Sequence, residues 1–369
     1  MYIHTLELTY RTDFEMYTNI FNASLEYCRS HGKSFYNLKD NRRNNKILKE
    51  VEFATFSCNY KCFVCEAFSD IGITILFVNY NKNKTIYYGL HLILNPQKLI
   101  DKDNYIELTS KSDMKQFELK FNKKLFSISD YFPTFEEFSL SRVDYSFNYN
   151  FYNQEYAKNV MRIFKRAAQI NKLEEYKSYD KTQKKLVSPK DSIYLWNKSV
   201  RINVYLKYNE MTKKNIKNRD INKAKGIIRF EIQCKQSKLY SLKKTFSIKN
   251  MRPSNFFRED IYCYIFQFYF KKIFGKGDFY KYNDAKKIIC SSKKIKENSK
   301  VLMLKFLKIV SIKRNINKAI DEIKGLGYKI NEIEKVIKSF DSIGLNLVTV
   351  PRESKFEDLK NPIHYILGK

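Results

Sequence analysis

The sequence predicts an α+β fold, mainly an antiparallel sheet with flanking helices, followed by a smaller helical C-terminal domain. Three observations carry this. Segments that alternate polar and apolar residues at period two, bounded by turn signals, recur through the first 250 residues. A stretch of helical periodicity interrupts them after the fourth of these segments. Beyond Pro253 the period changes to that of helices almost throughout.

Taken in order, Ile3 to Tyr10 alternates and reads as a strand. Gly72 to Tyr80 is a β-branched run, and Asn81-Lys82-Asn83-Lys84 separates it from Thr85 to Leu94 in the manner of a hairpin loop. Asn95-Pro96 stops that strand. Arg142 to Tyr149 alternates again. From Glu155 to Ala168, Val160, Ile163, Phe164 and Ala167 fall on one helical face. The lysine-rich stretch Tyr176 to Lys190 reads as a loop. Ile193 to Tyr208, interrupted near Asn197, and Ile227 to Lys235 are the last strands of a domain expected over residues 1–250. No internal repeat is visible in the sequence.

The second domain is expected over 255–369. Asn315 to Leu326 carries Ile316, Ala319, Ile320 and Ile323 at helical spacing, and Gly325 and Gly327 end it. Ile330 to Phe340 carries Ile333, Val336, Ile337 and Phe340, and Gly344 ends that helix. Leu345 to Val350 then alternates like a short strand. Helix, turn, helix and strand give the outline of a winged helix, with Lys313, Arg314, Lys318, Lys324, Lys329, Lys335 and Lys338 on it. An ordinary bundle with solvated lysines would show the same pattern.

The chain has 369 residues, with 69 Lys+Arg against 39 Asp+Glu, a formal charge of +30. A hydrophobic content of 43% excludes general disorder, and 10 Gly with 6 Pro excludes collagen-like or linker-like sequence. The excess charge points to a polyanion partner, because Lys and Arg that displace condensed counterions gain affinity for a phosphate backbone. AT-rich codon usage would inflate Lys too, but it would not leave the acidic residues so far behind. No export signal precedes Tyr10, and the most apolar stretch, Ile261 to Phe270, is about half the length a bilayer requires. Seven Cys in a chain of this size are expected as cytoplasmic thiols.

Three strand segments place polar residues on one face, since successive side chains alternate sides. In Arg142-Val143-Asp144-Tyr145-Ser146-Phe147-Asn148 these are Arg142, Asp144, Ser146 and Asn148; in Arg229-Phe230-Glu231-Ile232-Gln233-Cys234-Lys235 they are Arg229, Glu231, Gln233 and Lys235. In Asn203-Val204-Tyr205-Leu206-Lys207 they are Asn203, Tyr205 and Lys207. Carboxylates such as Asp144 and Glu231 suit a hard divalent metal acting as Lewis acid on a phosphoryl oxygen. A tyrosine hydroxyl is a nucleophile able to attack phosphorus, and cations such as Lys207 or Arg201 favour its anion and stabilise developing charge. A half-exposed sheet with cross-strand ion pairs would use the same residues.

Ser141-Arg142-Val143-Asp144, Trp196-Asn197-Lys198-Ser199, Val204-Tyr205-Leu206-Lys207-Tyr208-Asn209-Glu210 and Ile228-Arg229-Phe230-Glu231, in this order and at these intervals, resemble the replication-associated protein encoded by gene II of filamentous phages. The helix with Tyr156, Ala157, Lys158 and Val160 and the strand end Leu94-Asn95-Pro96-Gln97-Lys98-Leu99 fit as well. The resemblance covers roughly residues 85–245 and extends to rolling-circle plasmid initiators in the Arg-x-Asp, Tyr-x-Lys and Arg-Phe-Glu elements. It implies a site- and strand-specific DNA endonuclease and joining enzyme that starts rolling-circle replication in the cytoplasm of a bacterial host, with DNA and the host replication machinery as partners. Tyr205 would be the nucleophile and Lys207 a stabiliser of the transition state. Asp144, Glu231 and Glu210 would hold Mg or Mn, and Arg142, Arg229 and Arg201 would bind DNA phosphates.

Two features depart from that picture. Many rolling-circle nickases pair two histidines around a hydrophobic residue, whereas His4, His31, His91 and His364 are unpaired in sequence; His91 on its strand is a candidate nitrogen ligand. Cys58-Asn59-Tyr60-Lys61-Cys62-Phe63-Val64-Cys65 has the spacing of the iron–sulfur loop of radical S-adenosylmethionine enzymes, or of a zinc site with Cys28 added. No glycine-rich cofactor strand follows it. A non-catalytic DNA-binding initiator or regulator on the same sheet is the other alternative. Tyr176 and Tyr179 beside Lys177 and Lys181 suit stacking on unpaired bases.

Overall fold

The computed structural model describes residues 1–38, 60–169, 173–180, 185–216 and 221–366. The fold class is α+β, and every described strand pair with a complete register is antiparallel. The chain forms two interleaved compact units, Met1–Ser146 with Gln233–Tyr262, and Phe147–Ile232 with Cys263–Lys369. The division expected at 250–255 follows chain order, whereas these units each take two segments.

The first unit opens with β1 (Tyr2–Thr12), α1 (Phe14–Ser30), β2 (Phe35–Asn37), β3 (Tyr60–Phe68), β4 (Ile73–Lys82) and β5 (Thr85–Leu94). After α2 (Pro96–Ile100), β6 (Thr109–Ser110) and α3 (Met114–Phe126) comes β7 (Ser139–Asn150). The strand order is β2-β3-β4-β5-β1-β7, with β6 on β1. The hairpin between β4 and β5 is tighter than the four-residue loop expected: Lys82 pairs with Thr85, and Asn83 and Lys84 make the turn at φ 52° and 63°. Positive φ at both central residues is the turn whose twist matches that of the flanking strands.

Helix α1 is capped by Asp13, whose Oδ1 accepts from the Met16 N–H at 2.8 Å. Its buried stripe is Tyr17, Ile20, Ser24 and Cys28. Half of that stripe is Ser and Cys, so no apolar periodicity announced the helix in the sequence. Phe21 anchors it to the sheet through Phe35, Phe63 and Phe77, with ring centroids 5.0, 5.1 and 5.2 Å away.

The second unit takes β7 from Phe147, then α4 (Gln154–Ala167), β8 (Glu174–Glu175), the hairpin β9 (Ser178–Asp180) and β10 (Lys185–Val187), β11 (Ser192–Trp196), β12 (Val200–Leu206), α5 (Lys207–Lys213) and β13 (Ile227–Lys235). The stretch read as a loop over 176–190 therefore contains a two-stranded hairpin. Strand order is β7-β13-β12-β11-β8. Among the described residues, and leaving aside the separate β9–β10 hairpin and the short α5, the two units thus repeat one order in the main sheet: a strand, a helix and four further strands, with the first strand placed beside the last. Nothing in the sequence displayed that repeat.

From Gln233 the chain returns to the first unit with α6 (Gln236–Thr245). Helix α7 (Glu259–Phe274) leads into the second unit, where Phe270 and Phe274 pack on Phe230 at 5.1 and 6.4 Å. Then follow β14 (Phe279–Tyr280), α8 (Tyr282–Ser291), α9 (Glu297–Lys313), α10 (Ile316–Gly325), α11 (Ile330–Ser342), β15 (Asp358–Leu359) and α12 (Ile363–Ile366). Helices α10 and α11 lie where the glycine stops put them. The strand expected over Leu345 to Val350 is reduced to two bridges, Asp278 to Leu345 and Lys281 to Val350, while β14 pairs β15. No described helix is long and apolar enough to cross a membrane.

Candidate active site

In the second unit, β11 and β12 pair with Ser192 opposite Tyr205, Tyr194 opposite Asn203 and Trp196 opposite Arg201. Directly paired residues share a face, so these six form one side of the ribbon. The other side carries Ile193, Leu195, Ile202 and Val204, all buried, with α4 packed against both strands. The sequence enforces this division through strict alternation, because a one-residue slip would turn four aliphatic side chains out of the core.

Glu231 of β13 meets this face. Its Oε1 accepts from the Tyr205 hydroxyl at 2.5 Å and its Oε2 from Asn203 Nδ2 at 3.3 Å. Tyr205 is 7% exposed and Glu231 5%. Burial, and then the Glu231 carboxylate, hold the Tyr205 phenol well above its ordinary range; Arg229 acts in the opposite direction without prevailing. Arg229 is fully buried, and its Nε donates to Asn148 Oδ1 at 2.8 Å. It sits inside the protein, so phosphate contact, the role expected of it, is not its present engagement.

Lys207 was expected on the strand, but β12 ends at Leu206 and Lys207 opens α5. Its Nζ lies 2.9 Å from Glu210 Oε2, one turn along the helix, and Lys214 pairs with the same carboxylate. Burial and then Arg229 bring Lys207 down to about 8, against the pull of Glu210. Burial opposes ionisation of Glu210, but Lys207 and Lys214 outweigh it and hold the carboxyl at about 2. Helix α5 is tied in place by Asn209, which accepts from Gln154 at 3.0 Å and donates to Asp191 at 2.9 Å. Gln154 in turn accepts the Gly226 N–H at 2.8 Å. Gly226 has φ +83°, and a Cβ there would stand 2.7 Å from the Asn153 nitrogen.

Asp144 and Arg142 belong to a buried network of the first unit. Arg142 grips Asp144 through Nε at 2.8 Å and Nη2 at 2.7 Å, a bidentate pair, while Nη1 donates to Glu7. Gln233 donates to Asp144 at 3.1 Å, and His91 Nε2 stands 3.4 Å from Glu7 Oε2. Burial works against the Glu7 anion, but Arg142 and His91 outweigh it and the carboxyl falls below its usual range. Arg142 is thus engaged by two carboxylates, and phosphate contact, the role expected of it, is not its present engagement. Glu7 was missed by sequence reasoning, although Thr5-Leu6-Glu7-Leu8-Thr9 alternates strictly and marks it as polar on the same side as Thr5 and Thr9.

Among the described residues, no group of three or more His, Cys, Asp or Glu side chains is arranged to hold a metal ion. Each named carboxylate is instead engaged by protein donors: Asp144 by Arg142 and Gln233, Glu231 by Tyr205 and Asn203, Glu210 by two lysines. As they stand, these donors do not fit a divalent ion. The cysteine motif is likewise not a cluster site. Cys58 lies outside the described residues, and Cys62 and Cys65, three apart on β3, point to opposite faces of the strand. Cys62 packs with Leu38, Val64, Leu76 and Val78, and Cys65 faces Cys28, sulfur to sulfur at 3.5 Å. Of the residues suggested for stacking, Tyr176 and Tyr179 are exposed and Lys181 lies outside the described residues.

The arrangement on β12 and β13 is chemically that of an acid–base couple. The Tyr205 phenol donates its hydrogen bond to a carboxylate, a cation of lowered pKa opens the next helix, and Arg229 lies in the same interior. No family model and no curated protein matches the chain. Among solved structures, a rolling circle replication initiator protein from Geobacillus stearothermophilus matches at 9% identity over 72% of this chain and 83% of that one, with a TM-score of 0.30. A likeness at that score bears on neither fold detail nor function.

Proposed function

We propose that the protein starts rolling-circle DNA replication as an endonuclease that cuts one strand through Tyr205. The observation that carries this is the 2.5 Å hydrogen bond from the Tyr205 hydroxyl to Glu231, placed within the ordered set of motifs. In the proposed step the Tyr205 Oη attacks a backbone phosphorus, forming an Oη–P bond as the P–O3′ bond breaks. The phenol proton passes to Glu231, and the departing 3′ oxygen takes a proton from Lys207, whose pKa of about 8 suits exchange near neutrality. The 5′ side stays on the enzyme as a phosphotyrosine, and a host polymerase extends the free 3′ hydroxyl. Reversal by a later 3′ hydroxyl rejoins the strand, because the phosphotyrosine conserves the bond. Asn203 keeps Glu231 oriented.

The divalent cation implied by the resemblance would need Asp144, Glu231 or Glu210 released from their present donors. Mg or Mn dependence is for the assay to decide. Burial of Tyr205 to 7% exposure favours a second reading, a DNA-binding initiator or regulator in which this couple is structural. The test is nicking of a supercoiled plasmid carrying the origin adjacent to the gene, with Mg²⁺, with Mn²⁺ and with chelator. The proposal expects open circles covalently bound to protein with the wild type and none with Tyr205→Phe. Cutting that survives Tyr205→Phe would remove the nucleophile; a wild type that binds the origin but never cuts it would leave the binding reading.

A further inference from the structure

The cysteine motif leaves a pair of sulfurs where no cluster forms. We propose that Cys28 and Cys65 are a site of reversible oxidation, closing to a disulfide in the folded protein when a hydroperoxide accepts their electrons. Their sulfurs stand 3.5 Å apart and both residues are buried. A bond needs them about 1.5 Å closer, which a small side-chain rotation supplies. The fold holds the two against each other. Phe21 and Cys28 lie two turns apart on one side of α1, and Phe63 and Cys65 share a face of β3. Phe21 meets Phe63 at 5.1 Å between ring centroids, so the helix touches the strand there as well as at the cysteines. The chain leaving α1 is tied into the same corner: the Lys33 N–H donates to the Cys28 carbonyl at 2.8 Å, and the Glu66 N–H to the Ser34 carbonyl at 2.9 Å.

Burial pushes both thiols up, Cys65 the further, so oxidation is slow at neutral pH and the bond once made is screened from outside thiols. Cys28 reacts first. The Ala67 N–H favours the anion of each sulfur, and Lys33 favours that of Cys28, while Glu66 opposes both. Ala67 lies where the register of β3 on β4 shifts, between Cys65 and Phe68, and such a bulge re-aims a backbone group. The Cys28 thiolate attacks one peroxide oxygen; an S–O bond forms, the O–O bond breaks, and the other oxygen leaves protonated, as water from hydrogen peroxide. The Cys65 thiolate then attacks the Cys28 sulfur, making the S–S bond as the sulfenic oxygen departs as a second water. Two electrons pass from the sulfurs to the peroxide, and a dithiol returns them. Cys62 does not take either place, because it lies on the opposite face of β3 among Leu38, Val64, Leu76 and Val78.

The test takes the full chain, fully reduced and then held with hydrogen peroxide in mildly alkaline buffer. Remaining thiols are alkylated after unfolding, and the digest is mapped by mass spectrometry. A peptide linking Cys28 to Cys65 should be the main cross-link, with Cys62 and Cys234, both buried elsewhere, still alkylated. The bond joins positions 37 apart in the chain, so the oxidised protein should unfold about 5 °C higher and return to its starting value with dithiothreitol. Cys28→Ala and Cys65→Ala should each abolish that shift, and Cys62→Ala should keep it. Cys28→Ser, close in volume to the native residue, stands in if the alanine variants fail to fold. Three results overturn the pair: Cys28 and Cys65 unlinked after a treatment that oxidises the exposed Cys290, a main cross-link through any other cysteine, or a shift that persists in Cys28→Ser. None of these readouts depends on whether Tyr205 cuts DNA.

Discussion

Replacing Glu210 by Gln isolates the electrostatics that keep Lys207 charged inside the protein. The Lys207 side chain is 5% exposed and that of Glu210 16%. The two partners pull in different directions: Glu210 is stabilised as an anion, with its carboxyl down at about 2, while Lys207 is disfavoured as a cation, at about 8. Lys207 is the more deeply buried of the two, and its desolvation sets the pH dependence of the pair. A lysine of lowered folded pKa costs stability in full below about 8, and that cost falls as the pH rises through that value and the folded amine becomes neutral, ending only above the ordinary lysine range. Glu210 offsets most of the cost. Removing its charge leaves a buried ammonium without its anion, a loss of about 3 kcal/mol at pH 6, the low end for a broken buried pair. At pH 9.5 folded Lys207 is mostly neutral, and the loss shrinks to the hydrogen bond and the exposed Lys214 pair, about 1 kcal/mol. The assay is thermal unfolding of wild type and Glu210→Gln at both pH values. The difference between the two proteins should be two- to threefold larger at pH 6. An equal or larger difference at pH 9.5 would show that Lys207 is not held charged by Glu210.

Glu231→Gln removes the proton acceptor while keeping a hydrogen-bonding group; plasmid nicking should fall by at least about a hundredfold, with circular dichroism unchanged. Arg142→Ala leaves Glu7 and Asp144 buried without their shared cation and should cost about 3 kcal/mol at pH 7. Because the Glu7 carboxyl titrates below its usual range, the stability it contributes is present above that range and is lost as the pH falls through the folded value, so the cost of the variant should shrink in acid. Gly226→Ala meets both a positive φ and the Asn153 backbone; thermal unfolding should show a loss of about 2 kcal/mol, and nicking should fall with it because α5 loses its anchor.

The long strands of the second unit were legible because their alternation is strict: Ile227 to Lys235 was bounded to the residue, as was Thr85 to Leu94 in the first unit, whereas the two- and three-residue strands β8, β9 and β10 are too short to show a period. Helices α10 and α11 were legible through apolar spacing and glycine stops. Helix α1 was not, since its buried stripe includes Ser24 and Cys28, and α3 was missed although Phe117, Phe121 and Leu125 share a face. At the site, period two placed Asn203, Tyr205 and Glu231 on one side. It failed at Lys207, where the chain turns into a helix that local sequence did not signal; that changes the lysine from a strand neighbour of Tyr205 into the partner of Glu210. Glu7 and His91 were out of reach together because their contact joins β1 to β5 over 84 positions of chain, and no local pattern encodes such a pairing.

The repeated topology sharpens where chemistry can reside. In each unit a polar contact joins the first strand to the last: Glu7 to His91 across β1 and β5, and Asn148 to Arg229 across β7 and β13. The strands that correspond in order, β4 and β12, differ in kind. Along β4, Ile73, Ile75, Leu76 and Phe77 are buried and apolar on both faces. Along β12 one face carries Asn203 and Tyr205 instead, next to Glu231. Packing alone would accept aliphatic residues in both places, and burying a phenol against a carboxylate costs desolvation that an isostere avoids. Two units of one topology, only one of which buries a phenol against a carboxylate on this strand, argue that the polar face of β12 is kept for something other than stability. Tyr205→Leu with Glu231→Leu puts this directly: the doubly substituted protein should unfold at a temperature equal to or above that of the wild type while nicking no DNA. A strongly destabilised double variant would instead show the couple to be structural, and the assignment of Tyr205 as nucleophile would lose its physical basis.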